Sequence, residues 1–288
     1  MADEQFGFIG LGNMGQPMAR HVEDAGHDLI VHDLAGTADR APAGARIAQS
    51  NSEVARRCSI IALSLPTVDA NRAVVREMAE AAKPGSIIID TCTIGPAAAA
   101  ENAAMLQAAG IGYVDAPVSG LKTRAEDGTL ASMIAGSEAD IARAYPLIES
   151  YSRVVFVVGS EPGQGQRMKV VNNAIYISTL VTVSEALAYG EHGDLDLATM
   201  LEVINASSGQ CLTTQQVFPT YMMSDPPGIS GAEALVLKKD LSLFVDGAAK
   251  ERTPNAAIAK AFETIAAFSD EDPRQDKAEI YRFIRGGN

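Results

Sequence analysis

The hydrophobic pattern changes character part-way along the chain. Before about residue 160, short apolar runs alternate with helical stretches; from Gln164 onward nearly everything reads as helix. In the first part, strands are predicted at Gln5–Ile9, Asp28–His32, Ser59–Leu65, Ser86–Asp90, from Tyr113 into a loop ending at Gly120, at Ala131–Ala135 and at Val154–Val158. The Ser59–Leu65 run is apolar almost throughout and is closed by Pro66, as expected of a parallel strand buried on both faces. Helical patterns run from Pro17 to about Ala25 and over Val68–Ala82. Strands alternating with helices predict an α/β unit with a doubly wound, mostly parallel sheet.

The second part predicts helices at Gln164–Gly193, Asp196–Ala206, Glu233–Lys250, Asn255–Phe268 and Gln275–Ile284. Ser207-Ser208-Gly209 reads as a loop, Pro219 and Pro226-Pro227-Gly228 as an irregular connection, and Arg285–Asn288 as a loose tail. A first helix of about 28 residues would be some 42 Å long. That suits a spine shared between domains and between subunits. The expected organisation is residues 1–161 as a nucleotide-binding domain and 162–288 as an all-helical domain for substrate and oligomerisation, with the chemistry between them.

Composition narrows the functional classes. The 288 residues carry 23 basic and 36 acidic side chains, a formal charge of −13, which argues against nucleic acid or anionic membranes as partners. Cys58, Cys92 and Cys211 form no close pair, so a reducing, cytoplasmic setting is expected, without disulfides or a metal site. The acidic start, Met1-Ala2-Asp3-Glu4, reads as no signal peptide, and no apolar run is expected to span a membrane.

The chemistry begins with Gly10-Leu11-Gly12-Asn13-Met14-Gly15, directly after a strand and opening a helix. In that setting Gly10 permits a tight turn, Gly12 lets backbone approach a pyrophosphate, and Gly15 lets helix and strand pack closely, as in a Rossmann domain. The helix N-terminus favours negative charge. Asp33 ends the second strand, 33 − 15 = 18 residues past the last glycine, a spacing suited to a ribose-binding acid. A carboxylate there favours NAD over NADP, although Arg40 is close enough in sequence to serve a 2′-phosphate. Ligands in such sheets bind beyond the carboxyl ends of the strands, making Leu65, Pro66 and Thr93 candidate nicotinamide neighbours. Cys92 has no nearby histidine and reads as a lining residue. Ser119 and Gly120 suit a carboxylate, and Lys169 and Asn173, four apart on a helix, share one face.

Taken together these motifs resemble the β-hydroxyacid dehydrogenases, the group that includes 3-hydroxyisobutyrate dehydrogenase and tartronate semialdehyde reductase. Gly10–Gly15 is similar to the family's cofactor loop. Asp115–Gly120 followed by Gly128-Thr129-Leu130 is similar to its substrate loop, and Gly163, Gly165, Lys169, Asn172 and Asn173 to its catalytic segment. Lys239-Asp240-Leu241 matches a further signature. The resemblance implies Lys169 as general acid/base, Asn173 as a substrate holder, Ser119 and Gly120 as carboxylate binders, and Lys239 as a lining residue of substrate and cofactor. It implies Thr93 and Leu65 beside the cofactor, a small hydroxy acid or semialdehyde as substrate, and a homodimer or homotetramer. Because Lys239 and Asp240 are adjacent on a helix, at most one is expected to face the site squarely. Lysine at position 169 speaks against an imine reductase, and a catalytically silent nicotinamide-binding protein is a further alternative.

The sequence departs from the family at Leu121 and Arg124, where glycines are usual. Bulky residues there should restrict the loop. Arg124 or Lys122 could then meet a second anionic group on the substrate, or simply balance Glu126 and Asp127 in solvent.

Overall fold

The structure is a computed structural model describing residues 5–286. The acidic start and the last two residues of the expected tail lie outside the described residues. By its internal contacts the chain divides into two units, Met1–Lys169 and Val170–Asn288.

In the first unit the elements are β1 (Phe6–Ile9), α1 (Gly15–Asp24), β2 (Leu29–His32), β3 (Arg46–Ile47), α2 (Asn51–Arg57), β4 (Ile60–Leu63), α3 (Val68–Ala81), β5 (Ile87–Asp90) and α4 (Pro96–Ala108). Next come β6 (Gly112–Asp115), β7 (Val118–Ser119), α5 (Leu121–Glu126), β8 (Leu130–Ala135), α6 (Glu138–Tyr151), β9 (Ser152–Gly159) and the start of α7 (Gln164–His192). The sheet order is β3-β2-β1-β4-β5-β6-β8-β7, with β9 also on β8. β3 through β6 are parallel, β8 is antiparallel to β6 and β7, and β9 runs parallel to β8.

Alternation along the strands feeds two cores. Phe8, Ile60, Ala62 and Ile89 pack with Met18 and Val22 of α1 and Leu147 of α6. Ile9, Ile61, Leu63 and Ile88 pack with Val54 of α2, Val75 of α3 and Leu106 of α4. A sheet covered on both faces needs apolar residues at every strand position, which is why these strands read as continuous runs. Helix α5 was not anticipated: the loop after Gly120 folds into a short helix whose first residue, Leu121, has φ 63°.

The second unit holds the rest of α7, α8 (Leu197–Asn205), a π-helix (Thr213–Met222), α9 (Ala234–Glu251), α10 (Ala256–Glu271), a 3₁₀ turn (Lys277–Glu279) and α11 (Ile280–Arg285). Its core gathers Ile177, Leu180, Phe218, Leu241, Ile265 and Phe268. Two expectations are corrected here. The connection containing Pro219 is helical, because the wide π turn accommodates a proline that lacks an N–H. The final helix begins later than Gln275, because the Gln275 carbonyl accepts from Ala234 N (2.9 Å) and Asp276 bridges Glu233, holding that stretch extended.

Helix α7 corrects a third expectation, since by length and composition it is apolar enough to cross a membrane. The apolar content of its second-unit part has another use: Ala174, Ile177, Leu180, Val181 and Leu187 are core residues. The second unit also buries Lys277 completely. Its Nζ has no hydrogen-bond partner among the described residues and lies 5.6 and 5.9 Å from the ring centres of Tyr176 and Tyr221.

Candidate active site

In the first unit the candidate residues lie at one edge of the sheet. β1, β2, β4 and β5 run parallel, and Gly10, Asp33, Leu65 and Thr93 each follow closely on a strand's last residue. This is the edge at which open α/β sheets bind ligands.

The three loop glycines have different reasons to be glycine. Gly10 has φ 92°, and a Cβ there would lie 2.2 Å from the Ser64 carbonyl oxygen. A Cβ on Gly15 would lie 2.0 Å from the carbonyl oxygen of Gly10. A Cβ on Gly12 would meet nothing within 4 Å. The chain's own packing therefore excludes side chains at Gly10 and Gly15, whereas the space at Gly12 is open, as approach of a pyrophosphate requires. No side chain caps α1 at Met14, so this N-terminus suits a phosphate anion. Asn13 and Met14 complete the turn. Asp33 Oδ2 accepts from Leu11 N at 2.6 Å, and Oδ1 accepts from Ala35 N at 2.8 Å and from Arg40 Nη1 at 3.2 Å. The ribose-binding candidate is thus tied to the loop, with Arg40 paired to it.

Behind the nicotinamide candidates, Leu65 N donates to Cys92 Sγ at 3.1 Å, and Pro66 is exposed. Burial pushes the Cys92 thiol well above its ordinary range, with the charge of Asp90 adding to the effect. A thiol held protonated in this way makes a poor nucleophile.

Ser119 is set in register with Ala131 by the β7–β8 pairing. Gly120 has φ 148°, and a Cβ there would meet Arg124 Cβ at 2.7 Å and Arg124 Cδ at 2.8 Å. The aliphatic stem of Arg124 therefore lies over the Gly120 backbone although the residue is exposed. Lys122, also exposed, is 3.4 Å from Glu126 in an i,i+4 pair, the solvated arrangement.

The start of α7 is fitted closely against the strand ends. Gly163 has φ 97° and would put a Cβ 2.9 Å from the Pro96 carbonyl oxygen; a Cβ on Gly165 would lie 2.5 Å from that of Met133. These glycines allow backbone-to-backbone approach. Asp115, at the end of β6, accepts at Oδ2 from Gly163 N and Gln166 N, both at 2.9 Å. Burial lifts its carboxyl to about 6 against the bonds from Gln166, and the neighbouring Asp90 adds to the rise. Asp90, its register partner on β5, accepts from Asn71 Nδ2 at 2.8 Å, from the Tyr113 hydroxyl at 2.9 Å and from Cys92 N at 3.1 Å. Lys169 lies one turn beyond Gln166 and is 8 % exposed.

In the second unit Asn173 Nδ2 donates to Asp240 Oδ2 at 2.8 Å, and Lys239 Nζ is 2.8 Å from Asp240 Oδ1. The adjacent pair on α9 therefore forms one cluster: buried Asp240 orients the Asn173 amide by a hydrogen bond and is ion-paired with the Lys239 ammonium. The sequence led us to expect at most one of Lys239 and Asp240 to face the site squarely, and it gave Asp240, Gln166 and Asp115 no tasks of their own. Their signal was present: a buried-side Asp and Gln inside glycine-rich segments have backbone donors to serve.

Residues 5–159 match the model of the NAD binding domain of 6-phosphogluconate dehydrogenase. Residues 163–284 match that of the NAD-binding domain of NADP-dependent 3-hydroxyisobutyrate dehydrogenase. The chain is 31 % identical to mitochondrial 3-hydroxyisobutyrate dehydrogenase of Mus musculus, over 97 % of this chain and 86 % of that protein.

The chain belongs to the β-hydroxyacid dehydrogenase family.

Another relative is 2-(hydroxymethyl)glutarate dehydrogenase of Eubacterium barkeri, 33 % identical over 89 % of this chain and 86 % of that protein. Among solved structures, 3-hydroxyisobutyrate dehydrogenase of Mycobacterium tuberculosis with L-serine superposes with a TM-score of 0.87 at 27 % identity, covering 98 % of this chain and 99 % of that one. An imine reductase of Streptomyces aurantiacus, at 19 % identity and a TM-score of 0.65, shares the fold. As a β-hydroxyacid dehydrogenase the chain is an NAD(P)-dependent oxidoreductase of small 3-hydroxy acids, with a Rossmann domain followed by a helical one.

Proposed function

We infer that the chain interconverts a small 3-hydroxy acid and the matching semialdehyde, with Lys169 as general acid/base. The observation that carries this reading is the burial of Lys169, 8 % exposed, on the α7 turn fitted to the ends of β5 and β6. Ser119 and Gly120 bind the substrate carboxylate, Asn173 holds the substrate in place through the orientation Asp240 gives its amide, and Lys239 contributes positive charge for binding substrate and cofactor.

Gly10–Gly15 and Asp33 would hold a nicotinamide dinucleotide, with Leu65, Pro66 and Thr93 beside its ring, and that group would supply the hydride acceptor. Lys169 as neutral amine takes the hydroxyl proton while the C–H pair departs, so a carbonyl forms without a free alkoxide. In reverse its ammonium returns that proton. A free lysine titrates near 10.4; desolvation favours the neutral base needed near pH 7. The decisive experiment is turnover of NAD and NADP against a panel of 3-hydroxy acids, with Lys169→Met alongside. Lys169→Met should lower kcat/KM by about 100-fold or more. Survival of the same controlling ionisation in its pH profile would refute the role of Lys169.

Asp33 supports NAD as the preferred cofactor, since its carboxylate repels a 2′-phosphate; Arg40, paired with it, is the cation that would let NADP bind more weakly. The exposed apolar residues Met168, Val171, Ile175 and Tyr189 along α7 support a homodimer or homotetramer, and the acidic charge and unpaired cysteines fit a cytoplasmic enzyme.

A second reading, a semialdehyde or hydroxy acid with a further anionic group, is favoured by Arg124, whose stem lies over Gly120. For Arg124→Ala, KM for di-anionic substrates should rise about tenfold more than KM for mono-anionic ones. An equal change would remove this reading.

A further inference from the structure

Gln166 is completely buried, and each of its hydrogen-bonding positions is used. Oε1 accepts from Ile94 N at 2.9 Å and from Gly95 N at 3.0 Å. Nε2 donates to the Cys92 carbonyl at 2.8 Å and to Asp115 Oδ1 at 3.0 Å. Two donors on one side and two acceptors on the other leave the amide a single orientation. One side chain thus joins three segments: the Cys92–Gly95 stretch around the cofactor candidate Thr93, the head of the Asp115–Gly120 loop, and the turn of α7 that presents Lys169.

A side chain serving only α7 stability would need a bond to its own helix end, and Asp115 already supplies that through Gly163 N and Gln166 N. The further bonds of Gln166 run across the sheet edge, to backbone on either side of Thr93. Lys169 follows at i+3, on the same helix face. A displacement of this turn moves the amine relative to the strand ends, and misplacement by about 1 Å costs on the order of 100-fold in rate.

We propose that Gln166, oriented by Asp115, is the positioning residue of the site, fixing Lys169 in register with the cofactor-side and substrate-side loops. The proposal rests on the role of Lys169 inferred above. Asp115 and Asp90 are the titratable carboxyls facing this junction, with Tyr113 and Cys92 behind them.

The test uses Gln166→Leu, which keeps similar bulk without polar atoms, Gln166→Glu, which sets a carboxylate oxygen against the acceptors that Nε2 now serves, and Asp115→Asn combined with Gln166→Glu, which reverses the donor and acceptor across the Asp115 contact. Each is compared with wild type for kcat, KM, affinity for reduced cofactor, thermal midpoint and the pH titration of the Lys169 Cε resonance. Both single Gln166 variants should fold and lose about 10- to 100-fold in kcat with less than threefold change in cofactor affinity. The Lys169 titration midpoint should move, and the double variant should recover activity over Gln166→Glu. A kcat within twofold of wild type and a coincident Lys169 titration curve in either folded single variant would overturn the proposal. If Gln166→Leu does not fold, Gln166→Glu and the double variant decide by the same readouts. If wild type turns over no 3-hydroxy acid, it is the reading of the reaction that fails; the Lys169 titration still decides positioning, a shifted curve supporting it and an unshifted one overturning it.

Discussion

Gln166 in the first unit and Lys277 in the second are both completely buried polar side chains, and their surroundings are opposite. Gln166 meets four partners of matching polarity, and Asp115 beside it accepts from three N–H groups. Lys277 has the faces of two tyrosine rings and no hydrogen-bond acceptor among the described residues. Burial pulls its ammonium down to about 8, with Asp276 acting in the other direction. This contrast marks where the fold is most tightly ordered. A satisfied buried network specifies a single arrangement, whereas an unpaired buried charge is tolerated at a cost to stability.

The largest effect expected from this contrast is at Asp115. Asp115→Ala leaves three buried donors unpaired, and at about 1–3 kcal/mol for each such group the unfolding free energy should drop by about 3 kcal/mol or more in denaturant titrations. A loss below about 1 kcal/mol would mean that the network contributes little to order. Lys277→Leu should act in the opposite direction, stabilising by about 1–3 kcal/mol at pH 7. The sign follows from linkage: the folded value of about 8 lies below the ordinary 10.5 of the unfolded chain, so between them the unfolded state binds the proton more tightly. Wild-type stability should therefore rise through that window, and the advantage of Lys277→Leu should fade by about pH 10. An advantage constant with pH would show that packing, not charge, is responsible. The smallest effect concerns Leu121, at φ 63°. The left-handed conformation costs a side chain about 1 kcal/mol, so Leu121→Gly should lose nothing or gain up to about 1 kcal/mol, with a changed KM as the check that the loop serves the site.

Much of this was legible in the sequence, for identifiable reasons. Strands β1, β2, β4 and β5 announce themselves because both faces are buried, and the glycine loop because strand, turn, helix and Asp33 fall at fixed spacings. Lys169 and Asn173 were placed correctly on one helix. Helix α5 was not legible, because Leu121 adopts a backbone conformation that its residue type disfavours. The task of Gln166 was equally hidden, since its partners are backbone groups far off in sequence, and Ile94 N or the Cys92 carbonyl has no letter of its own. The pairing of Asn173 with Asp240, 67 positions apart, belongs to the same class.

The three loop glycines also bear on how such a sequence can drift. Gly10 and Gly15 answer to the backbone of their own chain, and any descendant that keeps the fold must keep them. Gly12 has no such neighbour among the described residues. A lineage that abandoned its dinucleotide would retain two-thirds of the motif through architecture alone and be released at the third position. The middle glycine, rather than the motif as a whole, is thus the position that records whether redox chemistry is still under selection.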